Sequence, residues 1–93
     1  MALKALNLGP KSTEWLANAG ITTVDELRSR GSVETFLDVE ELGFKLSLNL
    51  LYALEGAISD RHWQTVRREE GGELLLRLDM AREARQTQGG YGD

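Results

Sequence analysis

The sequence contains no cysteine among its 93 residues. This absence excludes a disulfide framework, thiolate metal sites and cysteine nucleophiles, and it is typical of proteins in a reducing cytoplasm. Long hydrophobic runs are also missing. The longest apolar-rich stretch without charge, Leu46 to Leu54, is far shorter than the roughly 20 residues that cross a bilayer. The N-terminus lacks the apolar stretch of a signal peptide. We therefore expect a soluble, cytoplasmic protein that makes no membrane contact.

Basic residues are scarce in the middle of the chain. The net charge of −4 comes from 11 basic and 15 acidic side chains, and residues 32–60 hold one lysine against six acidic residues. Such a segment repels the phosphates of a nucleic acid. A nucleic-acid contact is therefore expected only from the first or the last third of the chain. In the last third, Arg77, Arg82 and Arg85 could form a weak basic stripe on one helix.

Proline is nearly absent, and the glycines recur at intervals of about one helix length. The single proline, Pro10, is suited to begin a helix, because its missing N–H has no intrahelical partner at that position. We expect a first short helix over residues 2–6 and a second from Pro10 to the residue before Gly20. Thr23 and Glu26 form a capping box, which opens a third helix.

The second half of the chain continues the helical pattern. Ser32 is expected to cap a fourth helix. Ser47 is expected to cap a fifth, Leu48 to Ile58, which is apolar on nearly every side and therefore belongs in the centre of a bundle. Asp60 is expected to cap a sixth helix, and the pair Gly71–Gly72 separates it from a seventh.

These segments predict the fold class and the domain organisation. No segment alternates with a period of two residues, so no strand is predicted. The sequence predicts an all-α, compact multi-helix domain of about six or seven short helices over residues 1–86. A short, glycine-rich tail over residues 87–93 is expected to be disordered. The predicted core centres on Leu50, Leu51, Leu54 and Trp63.

The N-terminal stretch predicts two short helices joined by a tight turn, Asn7-Leu8-Gly9. Free backbone N–H groups at a helix start, together with the positive end of the helix dipole, attract anions. Lys11 adds a charge there and Ser12 a hydroxyl donor. The stretch resembles a helix-hairpin-helix, a motif that grips a phosphate in DNA-handling proteins, although Asn7 replaces a usual glycine. The candidate nucleic-acid-binding residues are Leu8, Gly9, Lys11 and Ser12. The alternative is that the hairpin only packs helices together.

The remaining polar and aromatic signals favour structural roles. His62 is the sole histidine and has no second ligand at metal-binding spacing. Trp15 and Trp63 lie among apolar residues at helical spacing and are expected to anchor the core rather than to stack on bases. Asn49 is expected to be a buried amide. No nucleophile, base and oxyanion site come together. We predict that the protein is not an enzyme and needs no metal, cofactor or small-molecule ligand.

Three segments carry a resemblance to a known family. They are Asn7-Leu-Gly-Pro-Lys-Ser12, Gly20-Ile-Thr-Thr-Val-Asp-Glu-Leu-Arg28 and Ser47-Leu-Asn-Leu-Leu-Tyr-Ala-Leu-Glu-Gly56. Followed by His62-Trp63, they resemble in this order the C-terminal domain of the TfoX/Sxy family of bacterial competence regulators. The similarity covers about residues 3–66. Beyond Val66 the family continues with a leucine–proline step, whereas this chain prolongs a helix.

The resemblance implies a role in switching on genes for natural DNA uptake, in concert with a transcription activator. One hypothesis is a regulatory module that acts by protein–protein contact with a transcription activator or RNA polymerase, which the acidic middle favours. A second is weak phosphate-backbone DNA binding through the hairpin, which the Gly-Pro-Lys-Ser turn favours. A third is a structural accessory or dimerisation domain. Because the family's usual N-terminal domain is absent, we expect a separately encoded domain or a piece of a longer protein.

Overall fold

The structure, a computed structural model, describes residues 8–89. Within this range the chain forms five helices and no strand: α1 Pro10–Asn18, α2 Val24–Arg30, α3 Ser32–Glu41, α4 Leu48–Ser59 and α5 Trp63–Gly89. The all-α fold class is confirmed. The predicted helix over residues 2–6 lies outside the described residues, and the two last predicted helices are one. No helix of the described part combines the length and the apolar character that a membrane span requires.

The fifth predicted helix, α4, lies at the centre of the domain and contacts α2, α3 and α5. Leu51 and Leu54 have no exposed surface, and Leu50 keeps 7% of its surface exposed. Trp63, at the start of α5, packs against this core and stays partly exposed. The predicted core is confirmed for the three leucines, whereas Trp63 lies at its edge. A helix that is apolar on nearly every side is surrounded by neighbours because each exposed side would cost hydrophobic free energy.

The start of α2 has the predicted capping box. The Thr23 hydroxyl accepts the N–H of Glu26 at 3.0 Å, and the Glu26 carboxylate accepts the N–H of Thr23 at 3.2 Å. The same carboxylate accepts the backbone N–H of Thr22 at 2.7 Å, and this bond lowers the pKa of Glu26 below its ordinary value. The box thereby satisfies backbone donors that the first helical turn leaves open.

Two predicted caps have other roles. Ser32 lies inside the first turn of α3, because the glycine before it is the N-cap residue, with φ of 90°. The Ser32 hydroxyl bonds instead to the Glu55 carboxylate on α4 at 2.7 Å. Asp60 ends α4 in a left-handed conformation, with φ of 58°, instead of opening the next helix. α5 begins directly after His62 in the chain, and the Nδ1 atom of His62 accepts the N–H of Gln64 at 3.3 Å.

α5 is a single helix of 27 residues, about 40 Å long at 1.5 Å per residue, where the sequence predicted two helices. The Gly71–Gly72 pair lies inside it. Each glycine costs roughly 1 kcal/mol in helix propensity. Val66 and Leu74 on either side of the pair are fully buried, and this burial outweighs the cost. Gly71 is buried beside the ring of Tyr52, since a Cβ placed there would lie 3.8 Å from the ring atom Cε1.

The end of α5 lies beyond the predicted start of the tail. The helix runs to Gly89, so residues 87–89 of the predicted disordered tail are helical. Residues 90–93 lie outside the described part of the chain.

Gly72→Ala should stabilise the protein. Gly72 is exposed, and a Cβ there would have nothing within 4 Å. The gain should be roughly 1 kcal/mol, the propensity difference between glycine and alanine inside a helix. Urea denaturation followed by circular dichroism measures it. The matched control is Gly43→Ala, which should lose stability because Gly43 has φ of 103°, a region strained for any Cβ. A loss in Gly72→Ala as well would contradict a continuous α5.

Candidate functional site

The four candidate residues of the hairpin lie together at the start of α1. Gly9 is the N-cap residue with extended backbone, and its carbonyl accepts the N–H of Thr13 at 3.0 Å. Lys11 is exposed, Ser12 is half-buried and Leu8 packs against the core. No side chain caps this helix end, and its first turn holds no acidic residue. The positive end of α1 is therefore open to an anion.

Lys11 is held next to aromatic side chains. Its Nζ lies 5.6 Å from the ring centroid of Trp15, which is a cation–π distance. The Trp15 ring packs in turn against Phe44, with 5.4 Å between the ring centroids. The charge of Lys11 is thus placed over one indole. The turn residue Asn7 and the first helix of the predicted hairpin lie outside the described residues.

Both tryptophans line one groove, with a volume of about 360 Å³. Each packs against the core and is only half-buried, so the predicted anchoring role describes only part of each ring. We call this feature the two-tryptophan groove. Its polar and aromatic lining residues are Ser12, Trp15, Lys45, Ser47, Asn49 and Trp63.

Three residues of this groove differ from what the sequence predicted. Asn49 is exposed in the first turn of α4, so the prediction of a buried amide is wrong. Lys45 was considered only as the single cation of the acidic middle of the chain, from which no nucleic-acid contact was expected. The position of Asn49 in the sequence was the available signal. It lies in the first turn of α4, and side chains at the end of a buried helix can lie outside the core. Ser47 precedes α4 as its N-cap residue, but its side chain makes no capping bond.

Arg82 and Arg85 do not form the predicted basic stripe, because both are paired with acidic residues of α3. Arg82 Nη2 lies 2.9 Å from Glu40 Oε1. Arg85 reaches three carboxylates at 2.7 to 3.0 Å, those of Glu34, Asp38 and Glu41. The pairing occupies these two arginines and neutralises much of the acidic segment. Of the predicted stripe, only Arg77 makes no ion pair within the described residues.

Asp38 of α3 pairs with Arg85 of α5 and also with Arg30 of α2. Arg30 donates to its carboxylate from Nε at 2.7 Å and from Nη2 at 2.9 Å. These hydrogen bonds lower the pKa of Asp38 below its ordinary value, burial opposes them in part, and Arg85 lowers the pKa further. The ionised carboxylate thus fastens α2, α3 and α5 together.

An apolar row lies on the exposed side of α5, which we call the α5 row. It consists of Gly72, Leu76, Met80 and Ala84, all exposed and four residues apart. Leu76 keeps 59% and Met80 62% of its surface exposed. Beside the row lies a cavity of about 470 Å³, lined among others by Met80, Val33, Ile58, Arg28 and Arg77. Exposed apolar residues rimmed by polar and charged side chains of both signs are typical of a protein-binding site.

His62 serves the first turn of α5, as its bond to Gln64 indicates. Within residues 8–89, no group of three or more His, Asp or Glu side chains is placed to hold a metal ion.

Comparison with known proteins identifies similar sequences and structures. The family model of the TfoX C-terminal domain matches residues 2–78. The crystal structure of an uncharacterized protein from Listeria monocytogenes has a TM-score of 0.71 and 30% sequence identity, and the similarity covers 97% of this chain and 94% of that chain. Comparison with curated proteins finds no match. The family match extends well into α5, beyond the part in which the motifs carried the resemblance.

Proposed function

Because the chain belongs to the TfoX C-terminal domain family, which is associated with the regulation of competence and DNA transformation, we propose that it is a regulatory module for competence gene expression. It acts by protein–protein contact with a transcription activator or RNA polymerase. This role needs no catalysis, metal ion or cofactor. The α5 row is the observation that carries the proposal.

The α5 row offers a partner a large gain in free energy. Leu76 and Met80 are 59% and 62% exposed, and full burial of such a side chain yields about 1.5–3 kcal/mol. Covering the exposed part of both would favour a complex by roughly 2–4 kcal/mol, which is more than a tenfold gain in affinity. Arg77, next to the row, suits a partner that carries a carboxylate beside its apolar residues.

The test replaces both Leu76 and Met80 with glutamate. Binding to the purified competence activator or to purified RNA polymerase should weaken at least about tenfold, since the row loses apolar surface and gains charge. Interferometry measures the affinity, and circular dichroism checks the fold. The matched control, Gln64→Glu with Gln86→Glu, adds the same two charges at exposed positions of α5 outside the row and should bind normally.

Equal binding by both double variants would contradict the proposal. Sedimentation velocity distinguishes a third role. A dimeric wild type that becomes monomeric with Leu76→Glu and Met80→Glu would make the row a self-association surface, as expected of an accessory or dimerisation domain.

A second function, weak phosphate-backbone DNA binding through the hairpin, is favoured by the open start of α1. Gly9 and Lys11 are exposed there, and the first turn holds no carboxylate. The contact neutralises only one or two phosphates, so log affinity should fall with log salt at a slope of about −1 to −2. The base sequence should matter little, because phosphate contacts do not read bases.

Lys11→Glu should remove the NMR shifts that duplex DNA induces at Leu8, Gly9 and Ser12. The fold should persist, because Lys11 is exposed. Arg77→Glu makes the same charge change at an exposed position of α5, outside the hairpin, and should leave the shifts in place. If duplex DNA shifts other residues of the wild type but not Gly9 to Ser12, the hairpin only packs helices together.

A further inference from the structure

We propose that the two-tryptophan groove binds single-stranded nucleic acid, with unpaired bases against its indole rings and phosphates beside its lysines. This inference goes beyond the protein contact proposed for the α5 row. It also differs from a hairpin contact with duplex DNA, because it requires bases that are free of a partner strand.

The aromatic surface of the groove comes from the only two tryptophans of the chain. Each indole packs on the core and against a neighbouring ring, since Phe44 is tilted against Trp15 and His62 is stacked on Trp63. The ring centroid of Phe44 lies 5.4 Å from that of Trp15, and the ring centroid of His62 lies 6.0 Å from that of Trp63. Rings held in this way lose little side-chain freedom when a ligand binds. Indole surface accepts any base, since every base has a π face.

The charge of the groove suits a phosphate backbone. Lys45 lines it, and the ammonium of Lys11 lies over Trp15. None of the described lining residues is acidic, although the chain as a whole carries a net charge of −4. Glu14, the acidic residue of α1, is exposed and does not line the groove. The groove is therefore a local cationic surface on an acidic protein, complementary to the phosphates of a strand.

Polar groups in the groove can meet the edges of bases. Ser12, Ser47 and Asn49 line it, and their side chains make no hydrogen bond within the described residues. The Asn49 amide supplies both a donor and an acceptor. The volume, about 360 Å³, lies in the range of small-ligand pockets. Duplex DNA keeps its bases stacked inside the helix, so only an unpaired strand brings them to the indole rings.

The test is a titration with (dT)12 followed by tryptophan fluorescence. Because both tryptophans line the groove, occupancy should quench their emission directly. An equal-length strand of abasic sites should bind at least tenfold more weakly, since it offers phosphates without bases. With two lysines engaged, log affinity should fall with log salt at a slope of about −1.4, or about −0.7 per phosphate for a single strand.

Three variants locate the site. Lys45→Glu should weaken (dT)12 binding at least tenfold, because the positive charge beside a phosphate is lost. Asn49→Ala should weaken it about threefold, because the hydrogen bonds of the amide to base edges are lost. Both residues are exposed, so the fold should persist, and neither belongs to the hairpin set. Arg77→Glu, the same charge change about 21 Å along α5 from Trp63, should stay within twofold of wild type.

Four results would overturn the proposal. These are equal binding of the abasic strand, unchanged fluorescence at low salt, equal losses in Lys45→Glu and Arg77→Glu, or full competition by a polyglutamate peptide. The last would show that the groove responds to negative charge alone.

Discussion

Leu54→Ala is expected to lower the free energy of unfolding by roughly 2–5 kcal/mol, the range for truncating a large buried side chain. Leu54 has no exposed surface, and it belongs to α4, which contacts three other helices. Close-packed neighbours on several sides relax only partly into the space left behind, so the cavity adds to the lost hydrophobic transfer free energy. Urea denaturation measures the loss.

An exposed leucine provides the matched control for this change. Leu76 is 59% exposed, so Leu76→Ala should alter stability by no more than about 0.5 kcal/mol. A loss below about 1 kcal/mol for Leu54→Ala would show that α4 is not the centre of the core.

Arg85→Met should cost about 1–3 kcal/mol, between the values for exposed and buried ion pairs. The Arg85 side chain is 23% exposed and bonds to Glu34, Asp38 and Glu41. Its removal leaves three carboxylates close together, with Arg30 as the remaining cation bonded to Asp38. The loss should shrink in 1 M salt, where like charges are screened. Arg77→Met, at an exposed arginine, should change stability by less than about 0.5 kcal/mol.

The same variant has an expected pH dependence. Hydrogen bonds from Arg30, and to a smaller extent from Arg85, hold the pKa of Asp38 below its ordinary value. A depressed pKa contributes stability that is present above the unfolded value, about 3.9, and is lost as the pH falls through the folded value. The difference between wild type and Arg85→Met should therefore be constant from about pH 5 to 7 and narrow below about pH 4. A difference that widens on acidification would contradict the role of Asp38.

Features with local causes were predictable. The capping box at Thr23 and Glu26 needs groups only three residues apart, so its chemistry can be read from four letters. The burial of α4 follows from a helix without a polar side, whatever surrounds it. The open start of α1 likewise follows from Pro10, Lys11 and Ser12 in succession.

Features that depend on distant residues were not predictable. The Gly71–Gly72 pair indicates a helix end when judged locally, yet α5 continues through it because Val66 and Leu74 are buried on either side. Glu34 and Arg85 are 51 residues apart in the chain, and no periodicity predicts that they meet. The prediction of a basic stripe was wrong because it considered α5 without the acidic residues of α3 that pair with Arg82 and Arg85.

The sequence by itself determined the all-α class, the central helix and the uncapped start of α1 without acidic residues, because each depends on side-chain chemistry within about one or two helical turns. Tertiary structure alone decided three other features. It made α5 one helix, it paired Arg82 and Arg85 with the acids of α3, and it placed Trp15, Lys45 and Trp63 along one groove. These depend on which distant surfaces meet, and that choice is set by burial summed over the whole core rather than by any local preference.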